Sequence, residues 1–274
     1  VSATGENFGV LLDIDGVLYV GDEPIAGAHE ALERLREQSA GLRLVTNTTS
    51  RSRRQVGKHL AELGFETTVE EILTPAAMAV RHCEERGHSS VELIVSDGLR
   101  EDLAALGSAV ESERGGGRPG APIDALILGD VGDRFDAQLL NHVFRLMMDG
   151  AELIALQHNR YWRRSDGMAL DVGAYAAALE YATRSEAIVV GKPSPEFFAA
   201  ALAELELEQA VMVGDDVEAD VGGAMAAGLA GVLVRTGKFR QDALPRKSRP
   251  RRSSTRSQRC RSCWHASSRA DGRV

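Results

Sequence analysis

Apolar residues come along this chain in short blocks, and each early block ends in a polar cluster. Phe8 to Leu12 is a continuous apolar run that stops at Asp13-Ile14-Asp15-Gly16, which predicts a strand buried on both faces. Ala28, Leu32 and Leu35, with charges between them, predict an amphipathic helix over 26–38 with one face on a sheet. Gly41 ends it, and Leu42-Arg43-Leu44-Val45 predicts a second strand that gives way to Thr46-Asn47-Thr48-Thr49-Ser50. A helix then runs to about Leu63, where Gly64 closes it, and Thr74-Pro75 opens a third over 75–86. The alternation returns late in the chain: strand at 187–190, helix at 195–205, strand at 210–213, helix at 217–227, strand at 231–234.

Strands alternating with helices predict an α/β fold, a Rossmann-like doubly wound parallel sheet that binds ligands at the carboxyl ends of its strands. The middle is patterned differently. Strands are expected at 91–95, 125–128 and 152–156, helices at 136–148 and 172–181, and the polar, glycine-rich stretch 114–120 reads as a flexible surface loop. This middle is read as an α/β cap domain inserted into the core. The expected division is core over 1–89, cap over 90–186, core again over 187–244, and a tail over 245–274.

At 43% hydrophobic and 26% charged residues, the composition is that of an ordinary globular protein. There is no apolar run of about 18 residues and no basic start followed by a long apolar core, so neither a membrane span nor a signal peptide is expected. A cytoplasmic location is expected. Cys83, Cys260 and Cys263 lack framework spacing and fit a reducing compartment. Charge is uneven: residues 1–245 carry −17 and residues 246–274 carry +9, within a total of −8. The Arg/Ser-rich tail is therefore a different kind of polymer from the body. It reads as disordered, or as the product of a shifted reading frame. Its Cys260-Arg261-Ser262-Cys263 with His265 is a weak zinc signal without a second pair. His82 and His158 read as surface or cap residues, since no second His or Cys lies at metal spacing.

The strand ends supply complementary groups: Asp13 and Asp15, then Thr46 and Asn47, then Lys192, then Asp215, Asp216 and Asp220. Asp13 and Asp15, two apart on an extended strand, project to one side, and close carboxylates call for a divalent cation or a shared proton. An Asx-turn closing a strand is the plain alternative for that pair. With a cation and a hydroxyl converging on the same edge, the set points to a Mg²⁺ and phosphate site. A phosphoryl group needs its charge neutralised, its oxygens held by donors and a nucleophile placed in line.

Asp13-Ile14-Asp15-Gly16-Val17, Thr46-Asn47, Gly191-Lys192-Pro193 and Gly214-Asp215-Asp216-Val217-Glu218-Ala219-Asp220 resemble, in order and spacing, the four motifs of the haloacid dehalogenase superfamily of phosphatases. The insertion between the second and third motifs resembles the type IIA cap. Asp166-Gly167-Met168-Ala169-Leu170, Ala178-Leu179-Glu180-Tyr181, Val190-Gly191-Lys192-Pro193-Ser194-Pro195-Glu196-Phe197-Phe198 and Val234-Arg235-Thr236-Gly237-Lys238 are similar to the phospholysine phosphohistidine inorganic pyrophosphate phosphatase subfamily.

The resemblance implies Asp13 as nucleophile, forming an aspartyl-phosphate, and Asp15 as general acid and then base. It implies Thr46, the Asn47 backbone amide and Lys192 as phosphate holders, and Asp13, the Asp15 carbonyl and Asp215 as Mg²⁺ ligands, with Asp216 and Asp220 behind them. A phosphorylated small molecule would be the substrate, and a homodimer the assembly. Asp216 stands where many type II relatives have Arg. Asp15 stands where mammalian members of the subfamily have Ser, which favours turnover here. The alternatives are a catalytically weak phosphate-binding protein, or a nucleic-acid binder acting through the basic tail. The loop residues Asn159, Arg160, Tyr161, Arg163 and Arg164 are candidates to face the leaving group.

Overall fold

The computed structural model describes residues 8–106, 110–111, 122–164 and 167–237. The 114–120 loop and the basic tail lie outside them. In chain order the elements are β1 (Gly9–Asp13), β2 (Tyr19–Val20), β3 (Glu23–Pro24), α1 (Ala28–Gln38), β4 (Gly41–Val45), α2 (Arg53–Glu62), β5 (Ile72–Leu73), α3 (Pro75–Arg86) and β6 (Val91–Ile94). There follow β7 (Val110–Glu111), β8 (Ala125–Leu128), α4 (Ala137–Met148), β9 (Glu152–Ala155), β10 (Tyr161–Arg164), β11 (Gly167–Leu170) and α5 (Val172–Thr183). The last are β12 (Ile188–Val189), α6 (Pro195–Leu205), β13 (Ala210–Gly214), α7 (Gly223–Ala226) and β14 (Ala230–Leu233).

Two five-stranded sheets result, each parallel throughout, with the orders β14-β13-β1-β4-β5 and β12-β9-β8-β6-β7. β1, every residue of which is buried, lies at the centre of the first sheet. That is the place its unbroken apolar run demands. Helix starts follow local chemistry. Ser52 and Gln55 close a capping box on α2, Thr74 caps α3 ahead of Pro75, and the Asp136 carboxylate accepts from the Leu139 amide at 2.8 Å to start α4.

Three features depart from the sequence pattern. The strand expected at 187–190 is only Ile188–Val189, and it pairs with β9 at the edge of the second sheet, not with the first. The helix expected at 217–227 is a π-helical turn, Val217–Gly222, followed by the short α7. The stretch read as a donor-rich loop is the antiparallel hairpin β10–β11.

One apolar cluster runs through both sheets. Leu11, Val45 and Met212 of the first, Leu93, Ile127 and Ile154 of the second, and Ala79, Cys83, Phe197 and Phe198 of α3 and α6 belong to it. No helix among the described residues is long and apolar enough to cross a membrane.

Candidate active site

Parallel registers set the site. Asp13 ends β1 level with Val45 on β4, and Leu12 lies level with Val213 on β13. The next residues out, Thr46 and Asp215, therefore arrive at the same carboxyl edge as Asp13, and all three are buried. Lys192, 2% exposed, comes from the segment after β12. Its Nζ lies 2.6 Å from Asp13 Oδ1 and 2.7 Å from Asp220 Oδ1.

Asn47 fixes that segment. Its Nδ2 donates to the Lys192 carbonyl at 2.7 Å and its Oδ1 accepts from the Lys192 amide at 2.8 Å. The resemblance implies only a backbone role for Asn47, but its side chain is the strap that places the lysine. Gly191 allows the approach, because a Cβ there would lie 2.4 Å from the Leu156 carbonyl oxygen.

The π-helical turn explains how two neighbouring acids diverge. Asp216 turns its carboxylate onto the backbone and accepts from the Glu218 and Ala219 amides at 2.9 and 3.0 Å. Asp220 accepts from the Asp216 amide at 3.0 Å through Oδ2, leaving Oδ1 to Lys192. Asp15 is exposed and lies outside the buried carboxylate group. The Tyr19 hydroxyl neighbours that carboxylate, and its pKa is raised first by burial and then by the Asp15 charge. Sequence reasoning missed Tyr19. The signal was its place four residues past Asp15, where the chain turns back and the Gly16 amide donates to the Tyr19 carbonyl at 2.8 Å.

Asp215 is enclosed by glycines. A Cβ on Gly16 or on Gly237 would lie 2.1 or 2.0 Å from its Oδ2, and both residues hold positive φ, 84° and 57°. The Thr236 hydroxyl donates to the Gly16 carbonyl, which ties the two glycine turns together across the chain.

Oxygens of Asp13, Asp215 and Asp220 lie within 4.8 Å of one another, all buried. Burial pushes Asp13 up to about 8, Lys192 opposes that, and Asp220 and Asp215 add to it. Burial works against the charge on Lys192 as well, but Asp13 and Asp220 outweigh it and hold the ammonium above its ordinary value. The converging oxygens of the three buried carboxylates make a hard-oxygen donor set. Hard oxygen donors are what Mg²⁺ takes, so the residues fit it.

Of the remaining candidates, Arg160 pairs with Glu218 at 3.1 Å and joins the cap hairpin to the turn after β13. Asn159 and Tyr161 flank it, while the side chains of Arg163 and Arg164 lie outside what is described. His158 lies 3.5 Å from Glu180.

Residues 10–109 match a family described as haloacid dehalogenase-like hydrolase, and residues 189–255 one described as HAD-hydrolase-like. The human haloacid dehalogenase-like hydrolase domain-containing protein 2 is 41% identical over 233 residues, which are 84% of this chain and 85% of that protein. This chain belongs to the haloacid dehalogenase-like hydrolases. Human phospholysine phosphohistidine inorganic pyrophosphate phosphatase is 39% identical over 240 residues, 85% of this chain and 84% of that one. Among solved structures, a glycerol phosphate phosphatase from Mycobacterium tuberculosis in complex with magnesium superposes with a TM-score of 0.73. It is 29% identical over 86% of this chain and 70% of its own, and it also crystallised with calcium. The chain is an enzyme of the phosphatase group within this family.

Proposed function

We propose that this chain is a Mg²⁺-dependent phosphohydrolase that cleaves small phosphorylated compounds through an aspartyl-phosphate on Asp13. The observation that carries the reading is the buried group of Asp13, Asp215 and Asp220 closed over Lys192 at the carboxyl edge of the first sheet. Mg²⁺ would be held by Asp13, Asp215 and the Asp15 carbonyl, and it supplies positive charge opposite the phosphoryl oxygens. Added positive charge also favours the ionised form of Asp13, which burial alone disfavours.

In the reading proposed, an Asp13 carboxylate oxygen bonds to phosphorus as the bond to the leaving oxygen breaks. Asp15 gives its proton to that oxygen, then takes one from the water that attacks phosphorus and frees Asp13 and orthophosphate. Lys192 and the Thr46 hydroxyl hold the phosphoryl oxygens, while Tyr19 keeps Asp15 turned toward the leaving group. Asp220 orients Lys192, and Asp216 shapes the turn that presents Asp220. We assign the chemistry to the first sheet, and the choice among phosphoesters, pyrophosphate and phosphoamidates to the inserted residues 90–186. Phosphate binding without turnover is the alternative reading; the contacts of Lys192 with both Asp13 and Asp220 in a buried setting support turnover.

The test is orthophosphate release from a panel of sugar phosphates, nucleotides, pyrophosphate and phosphoamidates. Release from some member should vanish with a chelator, return with Mg²⁺ and be absent in Asp13→Asn. Turnover that survives in Asp13→Asn would overturn the mechanism.

A further inference from the structure

Read along the sequence, His82 has no metal-binding companion. The fold supplies two. His82 lies about one turn before the end of α3, and His88 follows two residues after that helix ends. Gly87, at φ 71°, turns the chain so that the His88 amide donates to the Cys83 carbonyl at 2.9 Å and the imidazole swings back toward α3. Glu152 opens β9 across from them. The two imidazole Nε2 atoms converge on a single oxygen, Glu152 Oε2, at 2.8 and 3.0 Å. One atom from each of the three residues lies within 4.8 Å of the other two.

We propose that His82, His88 and Glu152 form a second metal site, selective for a late first-row divalent ion such as Zn²⁺ and separate from the catalytic carboxylates. Two imidazoles and one carboxylate are three ligands of the kind zinc takes, with further positions left to water. Both nitrogens already aim at one point, so an ion bound there takes the place of the proton in each contact, and each neutral ring keeps its single proton on Nδ1. The three side chains are 16–25% exposed, open enough to admit an ion yet held by the fold. Arg86 Nη2 lies 3.5 Å from the other oxygen, Oε1, where it can orient the carboxylate and leave Oε2 to the ion. Mg²⁺ prefers an all-oxygen set, so the two sites differ in chemistry.

The position gives the site a role. Leu156, at the far end of the strand from Glu152, meets Gly191 through its carbonyl, and Pro75, at the far end of α3 from His82, packs on Gly191 too. Those spans are about 13 Å of strand and about 10 Å of helix. A metal here clips together the distal ends of the two elements whose near ends hold the Lys192 segment. It is a structural clamp on the joint between the two sheets.

Equilibrium competition of the 274-residue chain against a chromogenic zinc chelator tests this. The Asp13→Asn/Asp215→Asn and Cys260→Ser/Cys263→Ser variants separate the site from the catalytic acids and the tail thiols. One zinc equivalent should bind to wild type and to both of these variants. It should weaken at least about 10- to 100-fold in His82→Asn/His88→Asn, the loss seen even for outer partners of a metal site. X-ray absorption should show two imidazoles on the ion, and zinc should raise Tm in wild type but not in the double histidine variant. Equal zinc binding by that variant, or no zinc uptake by folded wild type, overturns the proposal. Comparing the metal-free Tm values of the two proteins separates lost binding from lost folding.

Discussion

At the scale of single residues, the site depends on side chains that are absent as much as on those present. Gly16 and Gly237 press on Asp215 from two sides, so Gly237→Ala forces a methyl into a carboxylate at a backbone angle that L side chains avoid. Turnover is expected to fall at least about 100-fold, comparable to misplacing a catalytic group by an ångström. Stability should drop by about 1–3 kcal/mol, measured by denaturant titration alongside phosphate release.

Asp13 gives a pH signature in the presence of chelator. Folded, it titrates near 8, against an ordinary 3.8. Between those values the native state holds a proton that the unfolded state has lost. The group's contribution is therefore fully present below 3.8 and is lost as pH rises through 8. Asp13→Asn should gain on wild type in Tm as pH rises from 4 to 9, and a difference that shrinks over that range would contradict the burial of this carboxyl.

At the scale of elements, α3 and the Asn47 strap decide where the lysine goes. Asn47→Ala removes two hydrogen bonds to the Lys192 backbone. A loss of about 1–3 kcal/mol in stability is expected, with kcat falling more than KM changes, since Lys192 is mispositioned and not removed. Away from the site, the Asp124 carboxylate accepts from the amides of Ser89 and Ser90 and from the Ser89 hydroxyl. Those bonds hold its pKa below the usual value. A depressed carboxylate stabilises above its unfolded pKa and stops doing so as pH falls through the folded one. Asp124→Ala should therefore be less stable than wild type at pH 7, by a margin that narrows as pH falls through the acid range, read from thermal unfolding.

Much at this scale was legible in the sequence. Apolar runs as short as Phe8–Leu12, bounded by polar residues, fit a buried strand better than a helix by their length, and the polar residues that stop them mark the carboxyl edge. Other elements were not legible, because their cause is tertiary. Tyr161–Arg164 has too few apolar positions to announce a strand, and becomes one by pairing with Gly167–Leu170. Ile188 and Val189 suit either sheet by pattern, and only the proximity of β9 decides. The widened turn at Val217–Gly222 answers to Asp220 reaching Lys192, a contact 28 residues apart that periodicity cannot register. His82 was singled out in the sequence, but its pairing with His88 and Glu152 was not, since Glu152 lies 64 positions beyond His88.

At the scale of the whole molecule, the shared apolar cluster joins the two sheets into one folding unit. Phe198, fully buried on α6, packs within it. Phe198→Ala should lose about 3–5 kcal/mol. In a Trp264→Phe background, Trp162 fluorescence on the cap hairpin and far-UV circular dichroism should follow one transition in wild type and in this variant. Two separated midpoints would mean that the sheets unfold independently.

Lys192 follows three residues after a strand that pairs with β9, so the lysine beside Asp13 is placed by the second sheet as well as by Asn47 of the first. Damage to turnover then need not map to the motif residues. A survey of loss-of-function substitutions should return positions in β9 and β12, far along the chain from either aspartate, with substrate preference intact. A chimera that exchanges residues 90–186 for those of a relative would carry over the scaffold of its lysine along with its selectivity, so transplanted specificity and transplanted rate would be inherited together.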